Sequence, residues 1–172
     1  MEGCAKAGLQ VVRLGRAEAI RPDLERYTLD NMIKASGAAM GQEAHNERMR
    51  IIRGAQVICA TCIGVGGDQF ENHVFPAVLM DEATQATECS TMVALCRNAQ
   101  QIVLLGDQCQ LPPTVTSRTM QLEGLGEPLF NRLIIKNGIA PFLLDTQYRM
   151  HPSISQFPTD LFYAGKVSTS EQ

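Results

Sequence analysis

The chain has 172 residues, 45% of them hydrophobic and 19% charged, with a net charge of −3 and a pI near 5.6. That length suits one domain with a substantial core, and the mild acidity excludes a globally basic nucleic-acid binder, so any such surface must be local. No apolar run approaches the ~20 residues that span a bilayer, and Met1-Glu2-Gly3-Cys4 lacks the basic and apolar regions of a secretion signal, so no membrane is expected as a partner.

Leu9–Leu14 reads as the first strand. Arg21–Arg53 is more polar and reads as mostly helical, broken by Gly37 and Gly41 into two pieces. Gln56–Ile63 and Ala77–Met80 read as strands, followed by a helix over Ala86–Asn98 with Cys89, Met92, Val93 and Cys96 at i, i+3, i+4 and i+7. Ile102–Leu105 is the next strand. Pro128–Asn137 reads as a helix with proline in its first turn, Gly138 just past its end, and Leu129, Phe130, Leu133 and Ile134 inward. Pro141–Leu144 is a fifth strand. Runs so nearly continuous in Val, Ile and Leu suit parallel strands covered on both faces. Their alternation with helices predicts an α/β fold, in which ligands bind beyond the carboxyl ends of the strands.

Three motifs follow such ends. Ala77-Val78-Leu79-Met80 runs into Asp81-Glu82, a strand delivering an acid pair at its tip. One carboxylate can hold a hydrated magnesium ion, and the next can orient or deprotonate an attacking water. Alone, the pair is equally a solvated strand end; with Gln85 and the later motifs the chemical reading is preferred. Ile102–Leu105 leads into Gly106-Asp107-Gln108-Cys109-Gln110-Leu111-Pro112-Pro113, where glycine permits a sharp turn, Gln110 can sense a γ-phosphate and the prolines stiffen the exit. An ordinary Gly-Asp turn would look similar. Gln147-Tyr148-Arg149-Met150-His151-Pro152 offers a planar cation for phosphates beside a ring for a base, though an isolated Tyr-Arg pair is more often a surface feature.

Six cysteines (4, 59, 62, 89, 96 and 109) lie among apolar neighbours, as small core hydrophobes in a reducing compartment, cytosol or nucleus. Cys59-Ala60-Thr61-Cys62 is a single CxxC inside an apolar strand pattern, and His73 is not at a finger spacing, so a structural role is expected in place of a metal site. His45 belongs to a polar, solvated helix and His73 to the loop before the acid-pair strand.

Together VICATCIGVGGD, DEATQATE, GDQCQLPP, QYRMHP and the trailing LFYAGKV resemble the successive landmarks of superfamily 1 helicases of the nonsense-mediated-decay type. GLQVVRL resembles the strand before that family's inserted helical region, so the resemblance covers nearly the whole chain. It implies an ATP-dependent helicase that couples Mg-ATP hydrolysis to translocation on single-stranded RNA or DNA, in cytoplasm or nucleus, with RNA-decay or RNA-processing proteins as partners. The implied fold is a RecA-like parallel sheet with helices on both faces, an incomplete P-loop NTPase motor domain. Residues 1–145 would be the C-terminal part of the first motor domain, and 146–172 the hinge and start of the second.

By the same resemblance Asp81 would hold Mg2+ through water and Glu82 would be the catalytic base. Gln85, Gln110, Tyr148 and Arg149 would bind ATP, with Tyr148 against adenine and Arg149 on the γ-phosphate as a second catalytic group. Thr61, Pro113 and Thr114 would track the nucleic-acid backbone. The chain departs from the family in carrying no G-x-x-x-x-G-K-[ST] phosphate-binding loop, and Arg21–Arg53 is short for the inserted helical region. This segment alone is therefore expected to be inactive as an ATPase, and a non-catalytic remnant serving as an interaction or regulatory module is the second reading.

Overall fold

The computed structural model describes residues 1–15 and 20–170. These form two compact units, Met1–Leu79 with Cys89–Val103 and Met80–Glu88 with Leu104–Gln172.

The first unit begins with the short helix α1 (Glu2–Lys6), closed by an ion pair from Lys6 to Glu2. Strand β1 (Val11–Arg13) follows, then a 3-10 turn over Pro22–Tyr27 and the helices α2 (Leu29–Ala35) and α3 (Gln42–Gly54). The break between the helices falls where the glycines place it. Gly37 (φ +74°) and Gly41 (φ +86°) both take the left-handed conformation that side chains rarely adopt. Strand β2 (Val57–Cys59) then pairs in parallel with β1, Val11 opposite Val57 and Arg13 opposite Cys59. Helical spacing sets Leu29 with Ile33, and α3 contributes Ile51 and Ile52; these join Val12 and Phe70 in one buried cluster. Each such side chain adds about 1.5–3 kcal/mol when fully buried.

Beside that core the rings of Phe70 and Phe75 stand 5.6 Å apart, and His73 lies 4.8 Å from Phe75. Burial there holds the His73 imidazole below its ordinary pKa. Arg97 donates to the Phe70 carbonyl at 2.8 Å, tying this loop down before strand β3 (Ala77–Met80). Helix α4 (Glu88–Leu95) separates β3 from β4 (Gln101–Leu104), with which β3 pairs. Gln101 N–H donates to Pro76 C=O and Leu105 N–H to Met80 C=O, an equal advance on both strands that marks parallel pairing.

The second unit contains α5 (Arg118–Leu122), capped by the Ser117 side chain, and α6 (Leu129–Asn131), which continues as a π-helical turn over Arg132–Lys136. Pro128 opens α6, Leu129 and Phe130 are buried, and Gly138 leaves the turn at φ +67°, as the sequence predicts. Arg132 grips Glu88 through two bonds of 2.9 and 2.6 Å. Strand β5 (Thr146–Gln147) pairs in parallel with β6 (Ser168–Thr169), with helix α7 (Pro152–Tyr163) between them.

Several expectations are corrected. In place of one sheet with helices on both faces, the described residues form three separate two-stranded ladders. Leu79, Ile102 and Val103 remain exposed, so β3 and β4 keep the two-sided apolar pattern of interior strands while no described element covers them. Pro141–Leu144 is not a strand, and Phe142 is fully exposed. Pro141 offers no backbone donor, and no described strand lies alongside to pair with the segment.

The strand expected over Gln56–Ile63 ends at Cys59, which leaves Thr61 in a loop and Cys62 in a turn. Helix α4 buries Thr91 and Ala94 and leaves Cys89, Met92 and Cys96 exposed. Of the expected stripe Val93 packs inward, against Gly66, where a Cβ would stand 2.8 Å from it. Cys109 is also exposed, while Cys4, Cys59 and Cys62 are half-buried free thiols, so the cysteines are not uniformly core residues.

Candidate nucleotide site

Strand β3 ends by presenting Asp81 and Glu82 to solvent, as the acid-pair pattern predicts. The backbone then turns sharply, because Glu82 adopts a left-handed conformation (φ 52°, ψ 39°). Such a conformation disfavours a residue with a Cβ by about 1–2 kcal/mol, and the surroundings hold it. Asp81 Oδ1 accepts the Glu82 N–H at 3.0 Å, and Ala83 N–H donates to the Leu105 carbonyl at 2.8 Å. Gln85, one turn on, donates its side-chain amide to Glu82 Oε2 at 3.0 Å.

The second motif abuts the first. A Cβ on Gly106 would meet Thr84 Cγ2 at 3.0 Å and the Thr84 backbone nitrogen at 3.1 Å. Glycine thus eases the close approach of the two loops. Beyond it, Asp107 gathers three donors. Oδ1 accepts the Cys109 N–H at 2.9 Å, while Oδ2 accepts Gln110 Nε2 at 2.8 Å and the Tyr163 hydroxyl at 2.5 Å. Burial raises the Asp107 pKa, but these bonds outweigh it and hold the carboxyl below its ordinary range. Gln110 is exposed, with its amide resting on Asp107.

The third motif is built around Gln147. Its Oε1 accepts the N–H groups of Arg149 and Met150, and its Nε2 donates to the Met150 carbonyl and to Thr169 Oγ1 on β6. This fixes a tight loop from which Tyr148 and Arg149 project into solvent. Neither side chain makes a hydrogen bond or ion pair to the acid pair or Gln110 among the described residues. His151 Nδ1 caps α7 by accepting the Ser153 N–H.

Thr61 is exposed in the first unit, where its hydroxyl accepts the Gly64 N–H at 3.1 Å. It borders a cleft of about 300 Å³ that Asp30, Arg48 and Gln69 also line. Thr114 is exposed, and Pro113 is buried. Among the described residues no group of three or more His, Cys, Asp or Glu side chains is placed to hold a metal ion, and no helix is long and apolar enough to cross a membrane.

The first two motifs thus come into direct contact, and Tyr163 joins them. Asp107, Tyr163, Gln147 and the Thr84–Gly106 contact are the structural parts that sequence reasoning did not single out. Gln147 and Tyr163 both sit inside recognisable stretches, QYRMHP and LFYAGKV, but nothing in their spacing discloses their partners.

The donor set fits a nucleotide with its magnesium. Asp81 Oδ2 has no partner among the described residues, so one exposed carboxylate oxygen is available to a hydrated ion. Thr84 Oγ1 is buried beside the acid pair without a hydrogen-bond partner among the described residues, a polar atom available to a bound group.

Residues 37–118 and 125–172 each match an AAA domain family. These matches imply the P-loop NTPase class. The ATP-dependent helicase upf1 of Schizosaccharomyces pombe is 47% identical over 126 residues, covering 71% of this chain and 14% of that protein. The Regulator of nonsense transcripts 1 homolog of Drosophila melanogaster is 43% identical over 69% of this chain and 10% of its own length. Its Arabidopsis thaliana counterpart is 34% identical over 96% of this chain and 15% of its own length. The chain belongs to the superfamily 1 helicases of the nonsense-mediated-decay type. It spans at most about a sixth of the length of these relatives.

Proposed function

We propose that this segment forms part of the nucleotide-hydrolysing centre of an ATP-dependent helicase acting on single-stranded RNA or DNA. In this reading the motor is RecA-like, with residues 1–145 belonging to its first domain and 146–172 leading into its second. The observation that carries the reading is the left-handed Glu82 at the tip of β3. Backbone strain maintained at an acidic residue, on a loop pinned from both sides, is characteristic of a working site.

Asp81 would hold magnesium through water with its free oxygen. When bound, the ion neutralises charge on the β- and γ-phosphate oxygens. Glu82 accepts a proton from the attacking water, and Gln85 sets the direction of that carboxylate through its 3.0 Å bond. Gln110 turns its amide from Asp107 toward the γ-phosphate. The Tyr148 ring lies against adenine, and the Arg149 guanidinium offsets charge on the transferring phosphoryl group.

Thr61, Pro113 and Thr114 follow the nucleic-acid backbone. The relatives' name, regulator of nonsense transcripts, favours RNA as the strand; RNA-decay proteins as partners and a cytoplasmic or nuclear setting belong to the same reading. The test is Glu82→Gln in the complete protein that carries this segment. Magnesium-dependent ATPase with saturating single-stranded RNA should collapse while ATP still binds. Unchanged turnover would remove Glu82 as the base, and a parent protein that does not hydrolyse ATP would favour the non-catalytic module.

A further inference from the structure

Asp107 is not among the groups assigned to the nucleotide, yet it touches both the residue assigned to the γ-phosphate and a residue far along the chain. Its Oδ2 receives Gln110 at 2.8 Å and the Tyr163 hydroxyl at 2.5 Å, the latter from 56 positions away. Tyr163 is the last residue of α7, and the chain turns away immediately, with Ala164 (φ 50°) and Gly165 (φ 74°) both left-handed. A second, weaker contact runs alongside, from Cys109 Sγ to the Phe162 carbonyl at 3.7 Å. A short O–H to carboxylate bond is of the strong, charge-assisted kind. The loop of Gly106–Pro113 and the helix that follows QYRMHP are thus joined through one carboxylate.

We propose that Asp107 is a positioning residue that ties Gln110 to Tyr163, so that the orientation of the γ-phosphate sensor and the placement of α7 depend on each other. The proposal rests on the reading of Gln110 as a nucleotide contact. Oδ2 serves two donors at once. When the Gln110 amide swings to a phosphate, Tyr163 becomes the sole donor to that oxygen and keeps the carboxylate, and with it the loop, in place. Without the hydroxyl, Asp107 is held only by its own loop, and Gln110 loses its fixed starting point.

The experiment is a double-mutant cycle in the complete protein that carries this segment, using Tyr163→Phe, Asp107→Asn and both together. Steady-state ATPase with saturating RNA and the Kd for ADP are read in parallel, with Glu82→Gln as reference. Tyr163→Phe should lower kcat about tenfold, the scale of one hydrogen bond to a charged group, and leave ADP affinity unchanged because ADP has no γ-phosphate. In the Asp107→Asn background the same substitution should have little further effect.

Equal loss of kcat and ADP affinity, or full additivity of the two substitutions, would overturn the link and leave Tyr163 a packing residue. Wild-type kcat in Tyr163→Phe, with Glu82→Gln inactive, would overturn the link alone. An active Glu82→Gln would overturn the nucleotide-site reading beneath it.

Discussion

Gly106 and Thr84 stand so close that a methyl group on Gly106 would lie 3.0 Å from the Thr84 side chain and 3.1 Å from its backbone nitrogen. This contact sets the loop after β4 against the loop after β3. A backbone neighbour cannot swing aside as a flexible side chain can, so Gly106→Ala must push the two loops apart. Overpacking of this kind costs about 1–3 kcal/mol. Chemical denaturation should show a loss in that range, and an unaltered midpoint would mean that the loops separate freely.

Glu82 gives the opposite sign. Its left-handed backbone is one that glycine adopts without penalty, so Glu82→Gly should stabilise the fold by about 1 kcal/mol while removing the base. Glu82→Val should destabilise it, because a β-branched residue tolerates that conformation least. Thermal unfolding of the two variants decides the matter; a lower Tm for Glu82→Gly than for the parent would show that no strain is stored there.

Local chemistry was the legible part of this chain. Gly37 and Gly41 divide α2 from α3, and Pro128 and Gly138 bound the α6 region, because a missing Cβ or a locked φ acts within its own turn. The acid pair was equally readable, since it needs only a strand and its end. What failed depends on neighbours. Pro141–Leu144 has a strand's composition but no described edge to pair with, and α4 buries Thr91 and Ala94 in place of Cys89 and Met92, a choice of face that depends on what packs against the helix. The Tyr163–Asp107 bond spans 56 positions and follows from no periodicity.

That bond also fixes how stability responds to pH. The Asp107 pKa is lowered on balance, with burial opposing the bonds from Tyr163, Gln110 and Cys109. Its contribution is therefore present above the unfolded carboxyl's pKa of ~3.9 and lost as pH falls through the lower folded value. Tyr163 is pushed up to about 12, first by its bond to Asp107 and then by burial. Its contribution is present below the unfolded phenol's pKa of ~10 and lost as pH rises through about 12. Tyr163→Phe should flatten the alkaline limb of a stability–pH profile between those values and weaken the acid limb. Superimposable profiles for parent and variant would mean that the pair does not form in solution.

The most direct test of the nucleotide-site reading is the steady-state ATPase of Arg149→Ala in the complete protein, with saturating single-stranded RNA. Arg149 is exposed, its guanidinium has no ion pair among the described residues, and its loop is fixed by Gln147. An arginine that offsets phosphoryl charge is worth ~10³–10⁵ in rate, so turnover should fall by about 10³-fold or more while RNA binding without ATP persists. Lysine should restore little, lacking the planar fork. Near-parental turnover in a folded Arg149→Ala protein would contradict the reading, since a surface arginine outside the site changes stability by less than ~0.5 kcal/mol and rate hardly at all.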